Sequence, residues 1–298
     1  CVRRLDSLAL GLWFLPQAII SRNRAMIGPE LIAKQDDALR ILRSLGGAVV
    51  AFSAGVDSTL LLRLAREALG DRCVALTALS PSLPARERVQ AEALAAAIGA
   101  RHILRDSHEL ERPAFAANPV DRCYSCKSEL FDLCFAEAAR LGLEAVVYGA
   151  TADDLGDHRP GMAAARERGA RAPLLEAGLG KEEIRTLSRE LDLPTWDKPA
   201  MACLSSRFPY GTPIDAEKLG RVERAEEALR EEGFHELRVR FHGEIARVEL
   251  GSQEWHRLSD PALRERIARA VREAGFRFVA LDLEPFRSGR LNEGTGGD

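Results

Sequence analysis

Ala48-Val49-Val50-Ala51-Phe52-Ser53-Ala54-Gly55-Val56-Asp57-Ser58-Thr59-Leu60-Leu61-Leu62 decides the fold. Its first five residues are apolar, and β-branched in the middle, as in a short strand buried on both faces. A turn over Ser53–Asp57 leads into STLLLRLAREAL (58–69), which has the spacing of an amphipathic helix. Amides exposed at a helix start, at the positive end of its dipole, attract phosphate. Ser53 and Ser58 add hydroxyl donors, and Gly55 lets an oxyanion approach the backbone closely. Asp57 can cap the helix or hold a phosphate-bound Mg²⁺. No lysine follows the glycine, which excludes the Walker phosphate loop. Spacing alone leaves open a second reading, a Ser/Asp-capped helix after a strand.

The same alternation extends in both directions. Residues 30–45 place their apolar side chains on one helical face before Gly46-Gly47. CVALTAL (73–79) is a strand, 84–98 a helix and RHILR (101–105) a strand. Residues 125–141 then read as a helix, 145–150 as a strand and 181–192 as a helix. Strands separated by helices of this length imply a parallel sheet covered on both faces, an α/β domain. Pro194, Pro199, Pro209 and Pro213 mark a boundary near 194–214. Beyond it, a helix (215–232), two strands (236–241 and 245–250) around His242-Gly243-Glu244, a helix (260–274) and a strand (277–283) predict a smaller α+β domain with antiparallel neighbours. The expected division is 26–205 and 206–298, with a frayed tail after Arg290.

Composition narrows the function classes. The 298 residues are 46% hydrophobic and 29% charged, which excludes disorder and coiled coil. The formal net charge of −3 gives no global attraction for nucleic acid. Only five of the 42 cationic residues are Lys, so arginine at any one position carries little weight. The apolar run 8–20 resembles a signal peptide, but Pro16 interrupts it and no small-x-small site follows. At 13 residues it is too short to span a bilayer. Residues 1–25 are read as a leader or misplaced start, with the functional chain beginning near Met26 in the cytoplasm and no membrane partner.

Six cysteines are too few for a disulfide scaffold. Cys123 and Cys126, in Arg122-Cys123-Tyr124-Ser125-Cys126-Lys127, stand at i and i+3 and can face one centre. The pair alone is compatible with zinc, iron–sulfur or dithiol chemistry, or with coincidence. Cys203 is the one further candidate thiol, since Cys73 lies in a strand and Cys134 on a helix, both read as structural. Three thiolates suit a [4Fe–4S] cluster with one iron open. Gly149-Ala150-Thr151-Ala152-Asp153-Asp154 ends a strand that belongs beside the 53–58 turn. Its carboxylates suit Mg²⁺ and a nucleotide.

Ser53–Ser58 resembles the PP-loop, S-G-G-x-D-S, of ATP pyrophosphatases, with Ala54 in place of its second residue, a glycine. Trp196-Asp197-Lys198-Pro199 and Ala202-Cys203-Leu204-Ser205-Ser206-Arg207-Phe208-Pro209-Tyr210-Gly211 resemble the LarE-type sulfur transferases of nickel-pincer nucleotide assembly. Ser80-Pro81-Ser82, Arg159-Pro160-Gly161, Arg238-Val239-Arg240 and Phe286-Arg287-Ser288-Gly289 extend the likeness over about 27–293. The resemblance implies that Mg-ATP adenylylates the carboxylates of pyridinium-3,5-biscarboxylic acid mononucleotide, which then become thiocarboxylates. It implies nucleotide contacts from Ser53, Gly55, Val56, Asp57, Ser58, Gly149, Thr151, Asp153 and Asp154. It also implies sulfur chemistry at Cys203, with Cys123, Cys126 and Cys203 holding a [4Fe–4S] cluster that passes on sulfide from a sulfur donor.

Single-cysteine relatives instead give up the sulfur of the residue matching Cys203. Arg207, Arg238 and Arg240 are candidate holders of substrate phosphate or carboxylates, since guanidinium forks pair bidentately with both. Asp57 is a candidate Mg²⁺ ligand. Glu226 is a candidate for metal or subunit contacts in the homo-oligomer, a hexamer, that the resemblance implies. Three rivals stand against this: a PP-loop iron–sulfur tRNA thiolase, an ammonia-delivering ligase and a non-catalytic nucleotide sensor. The ten acidic and seven basic residues of 215–250 give RNA little purchase.

Overall fold

The computed structural model describes residues 27–156, 160–199 and 202–287. The leader assigned to 1–25 and the tail after Arg290 lie outside them, as do Arg159, Met201, Ser288 and Gly289.

The first half runs α1 (Pro29–Arg43), β1 (Ala48–Ala51), α2 (Val56–Leu69), β2 (Cys73–Leu79), α3 (Ala85–Ile98), β3 (Arg101–Asp106), α4 (Arg122–Leu141), β4 (Ala145–Tyr148), α5 (Pro160–Glu167) and α6 (Lys181–Glu190). Its strands form one parallel sheet in the order β3-β2-β1-β4. Ala48 and Val50 of central β1 enter a core with α1, α2 and α6, while Val49 and Ala51 face Phe131, Cys134 and Ala138 of α4. Burial on both faces explains why β1 reads as an unbroken apolar run.

The second half runs α7 (Ala216–Glu231), β5 (Leu237–His242), β6 (Ile245–Leu250), α8 (Pro261–Glu273) and β7 (Phe278–Leu281). Its own core joins Leu219, Val222, Val239, Phe241, Val248 and Val271. β5 and β6 are antiparallel around Gly243, whose φ is +66°. β7 pairs with β6 in parallel, which corrects the expectation of antiparallel neighbours throughout. The cause is α8, a whole helix that carries the chain back across the sheet before β7 begins. Sequence periodicity also missed α5 and the single turns Pro113–Ala116 and Pro173–Glu176, which are too short to show a repeat. Among the described residues no helix is long and apolar enough to cross a membrane.

Candidate functional site

Residues 53–58 leave the carboxyl end of β1 and become the start of α2. Gly55 occupies the cap position and no side chain caps the helix, so Asp57 sits inside its first turn rather than at the cap. The first amides of a helix have no intrahelical acceptor and face whatever binds there. The Ser53 N–H donates to Ser58 Oγ at 3.3 Å, the two hydroxyls lie 3.1 Å apart, and Ser58 Oγ donates to Gly55 O at 3.3 Å. The loop thus holds its own shape without a ligand. Ala54 has φ +56°, a left-handed conformation that glycine adopts freely and alanine at a cost. Its methyl group is fully buried in the first core.

β4 ends beside this loop. A Cβ at Gly149 would lie 2.9 Å from Ser58 N and 3.1 Å from Asp57 C, so glycine is needed for the close approach of the two segments. Thr151 Oγ1 is buried with no hydrogen-bond partner, a polar atom suited to a ligand in this crevice. Asp153 Oδ2 accepts from the Lys181 N–H at 2.6 Å, tying the acidic segment to the start of α6. Asp154 Oδ2 accepts from the Thr151 N–H at 2.9 Å, and Lys181 Nζ lies 3.5 Å from Asp154 Oδ1. Together the loop amides, the serine hydroxyls and Thr151 fit a nucleotide's phosphates in donor type.

The thiols come from the start of α4 and from the Cys203 segment. α4 begins at Arg122, three residues earlier than periodicity indicates, so Cys123 and Cys126 lie in its first turns on one face. Cys203 immediately precedes a 3₁₀ turn, Leu204–Arg207. The Leu204 N–H donates to Ser82 O at 2.8 Å, anchoring the Cys203 segment to the first half. The Phe-Pro-Tyr-Gly block works as a rivet. Phe208 stacks on Phe241 at 4.8 Å in the second core, while Tyr210 lies under the Arg122 guanidinium, 5.1 Å from ring centroid to carbon. Arg122 donates to Asn118 Oδ1, and Asn118 in turn donates to Pro209 O and accepts from the Gly211 N–H.

Cys123 and Cys203 are exposed and Cys126 is half-buried. Although solvent reaches Cys123, the protein packed around its thiol partly desolvates it and raises its pKa, and the charge of Cys203 adds to the rise. Burial raises Cys126 further, reinforced by Glu109, which hydrogen-bonds it. Glu109 itself is buried and accepts from Ser80 and Ser82. Cys123 and Cys126 therefore both feel the charge of Cys203, and thiols so placed are a donor set whose chemistry fits a cationic metal centre. Among the described residues, however, no group of three or more His, Cys, Asp or Glu is already drawn together to hold a metal ion. Cys73 and Cys134 are fully buried and pushed up to about 12, inert core thiols as their positions suggest.

The arginines divide. Arg207 is 2% exposed and pairs with Glu226 at 2.8 Å and 3.1 Å while donating to the Ala202 and Cys203 carbonyls. Glu226 also accepts from Arg230 and the Val239 N–H. Burial alone would raise the Glu226 carboxyl, but Arg207 and Arg230 outweigh it and hold it at about 2. Arg207 thus links the Cys203 loop to Glu226, and Glu226 serves as its internal counter-ion. Arg240 is likewise engaged, with Glu249 at 2.8 Å and Ser206 O at 2.8 Å. Arg238 differs. Among the described residues no carboxylate bridges it; it donates to Leu237 O and stacks on Phe286 at 4.6 Å. Burial and the neighbouring Arg207 lower its pKa to about 10, a desolvated cation suited to an anion.

Sequence reasoning passed over Glu109, Asn118, Arg122 and Lys198 as site-builders. Arg122 and Lys198 lay inside quoted motifs, but nothing in one sequence reveals a partner some 90 or 144 positions away.

A glycine-bearing strand–turn–helix at the carboxyl edge of a doubly covered parallel sheet defines an α/β protein of the PP-loop type. No family model matches the chain. An uncharacterized protein of Synechocystis is 45% identical over 262 residues, 88% of this chain and 98% of that protein. The pyridinium-3,5-bisthiocarboxylic acid mononucleotide synthase of Lactiplantibacillus plantarum is 38% identical over 265 residues, 88% of this chain and 95% of the synthase. An uncharacterized protein of Methanocaldococcus jannaschii is 28% identical over 240 residues, 80% and 90% of the two chains. The chain belongs to the LarE-type family, of which that synthase is a member.

Proposed function

We propose that this protein is an ATP-dependent sulfur transferase that converts the carboxylates of pyridinium-3,5-biscarboxylic acid mononucleotide into thiocarboxylates. The observation that carries the reading is the tether of the Cys203 segment to Ser82, beside the Cys123–Cys126 face and on the sheet edge that bears the phosphate loop. Kinship with a named synthase supports the substrate. The loop amides of α2 stabilise negative charge on the departing pyrophosphate. Asp57 is the candidate ligand for the nucleotide's Mg²⁺. Arg238 receives the substrate's phosphate or a carboxylate. AMP then leaves the acyl group as sulfur bonds to its carbonyl carbon.

Cys123, Cys126 and Cys203 would hold a [4Fe–4S] cluster, which when bound supplies an open iron for added sulfide. The exposure of Cys203 supports a second reading, in which Cys203 donates its own sulfur and remains as dehydroalanine. Intact-mass measurement after turnover with Mg-ATP and substrate separates them. The cluster route leaves the polypeptide mass unchanged and loses multiple turnover in C123A and C126A. The sacrificial route removes one H₂S per chain and tolerates both substitutions. C203A is expected to abolish product in either case, and a chain that releases no pyrophosphate with substrate contradicts the function altogether.

A further inference from the structure

We propose that Lys198 is a positioning residue that fixes the direction of the Gly55 amide by holding the carbonyl of the left-handed Ala54. Lys198 is 12% exposed at its side chain, and its ammonium donates to Ala54 O at 2.9 Å, Glu87 Oε2 at 2.8 Å and Gln90 Oε1 at 2.7 Å. A lysine ammonium has three N–H groups, and here each has an acceptor within the protein. None is left over for a phosphate, unlike the lysine of a Walker loop.

Peptide planarity turns this contact into a device. The Ala54 carbonyl and the Gly55 N–H belong to one trans peptide and point in opposite directions. Pinning the oxygen toward α3 therefore aims the N–H away from it. The plane can rotate only if φ and ψ on either side change. The position is under strain, because Ala54 stands at φ +56° with its methyl group locked in the core. The buried methyl group fixes one side of the loop and the Lys198 bond fixes the other, so the pair replaces the freedom a glycine would bring with a single held shape. Lys198 is itself held, since Arg185 donates to the carbonyls of Trp196 and Lys198 at 2.7 Å and 3.0 Å. The segment leading toward Cys203 thus sets the geometry of the phosphate loop.

This inference rests on reading 53–58 as a nucleotide loop. The test measures ATP binding by calorimetry, together with hydrogen–deuterium exchange over 53–58 without nucleotide. K198M is expected to weaken ATP about tenfold, the size of a left-handed penalty on a residue with a Cβ, and to speed exchange. In an A54G background the same lysine substitution should cost about threefold or less, because glycine adopts φ +56° without help. Equal losses in both backgrounds, or no loss in K198M, overturn the proposal. Should K198M not fold, K198M/E87Q removes the buried carboxylate with its partner and carries the same comparison. A wild-type chain that binds no ATP defeats the nucleotide reading alone, and the exchange comparison still decides the role of Lys198.

Discussion

The two sides of the candidate site differ in the groups they offer to an anion. Around 53–58 the donors are backbone amides and hydroxyls, with the two serines bonded to each other within the loop. Around 203–240 the groups are ionised side chains: Arg207–Glu226–Arg230 and Arg240–Glu249 form buried ion pairs, and Arg238, stacked on Phe286, stands outside them. The first arrangement depends on close backbone packing, as at Gly149. The second depends on charge state and tolerates less chemical change than geometric change.

The largest predicted effect breaks the ionic side. E226Q leaves two buried guanidiniums short of a counter-ion and is expected to cost about 3–5 kcal/mol of unfolding free energy, read from urea melts. Acid should do the same to the wild type. Because the folded Glu226 carboxyl sits at about 2 against an ordinary 4.5, its ionisation contributes full stability above pH 4.5 and loses it as pH falls toward 2. E226Q should flatten that part of the pH–stability curve. The next effect breaks the backbone side. G149A places a methyl group against Ser58 N and should weaken ATP by about tenfold or more through overpacking, with no change in the acid limb. The smallest sharpens the contrast within the ionic side. R238Q should raise KM for the pyridinium mononucleotide about tenfold, the weight of one charge-assisted hydrogen bond, while leaving the urea midpoint nearly unmoved. An equal drop in stability for R238Q and E226Q would show that the two arginines do not differ as described.

Much of this molecule is legible along the chain because it is local. β1 reads as a strand through its apolar run, α2 through its periodicity, and the loop between them through Gly55 and its serines. The three thiols stand out because few cysteines compete for notice. Paired charges do not announce themselves: Arg207 and Glu226 are 19 positions apart, and among 42 cationic residues neither partner identifies the other. The same limit hid Lys198, whose acceptors lie on α3 and at Ala54. The parallel pairing of β7 was also beyond reach, since strand direction depends on where α8 delivers the chain.

The Phe-Pro-Tyr-Gly rivet has a mechanical consequence. Gly211 and Ile214 donate backbone bonds to Asn118 and Ala116, and Phe208 fills the neighbouring core, so the connection between the two halves is stitched on both sides. Such a seam cannot act as a hinge without breaking these backbone bonds. The two halves are clamped together at this seam, so the Cys203 segment is carried on a fixed joint.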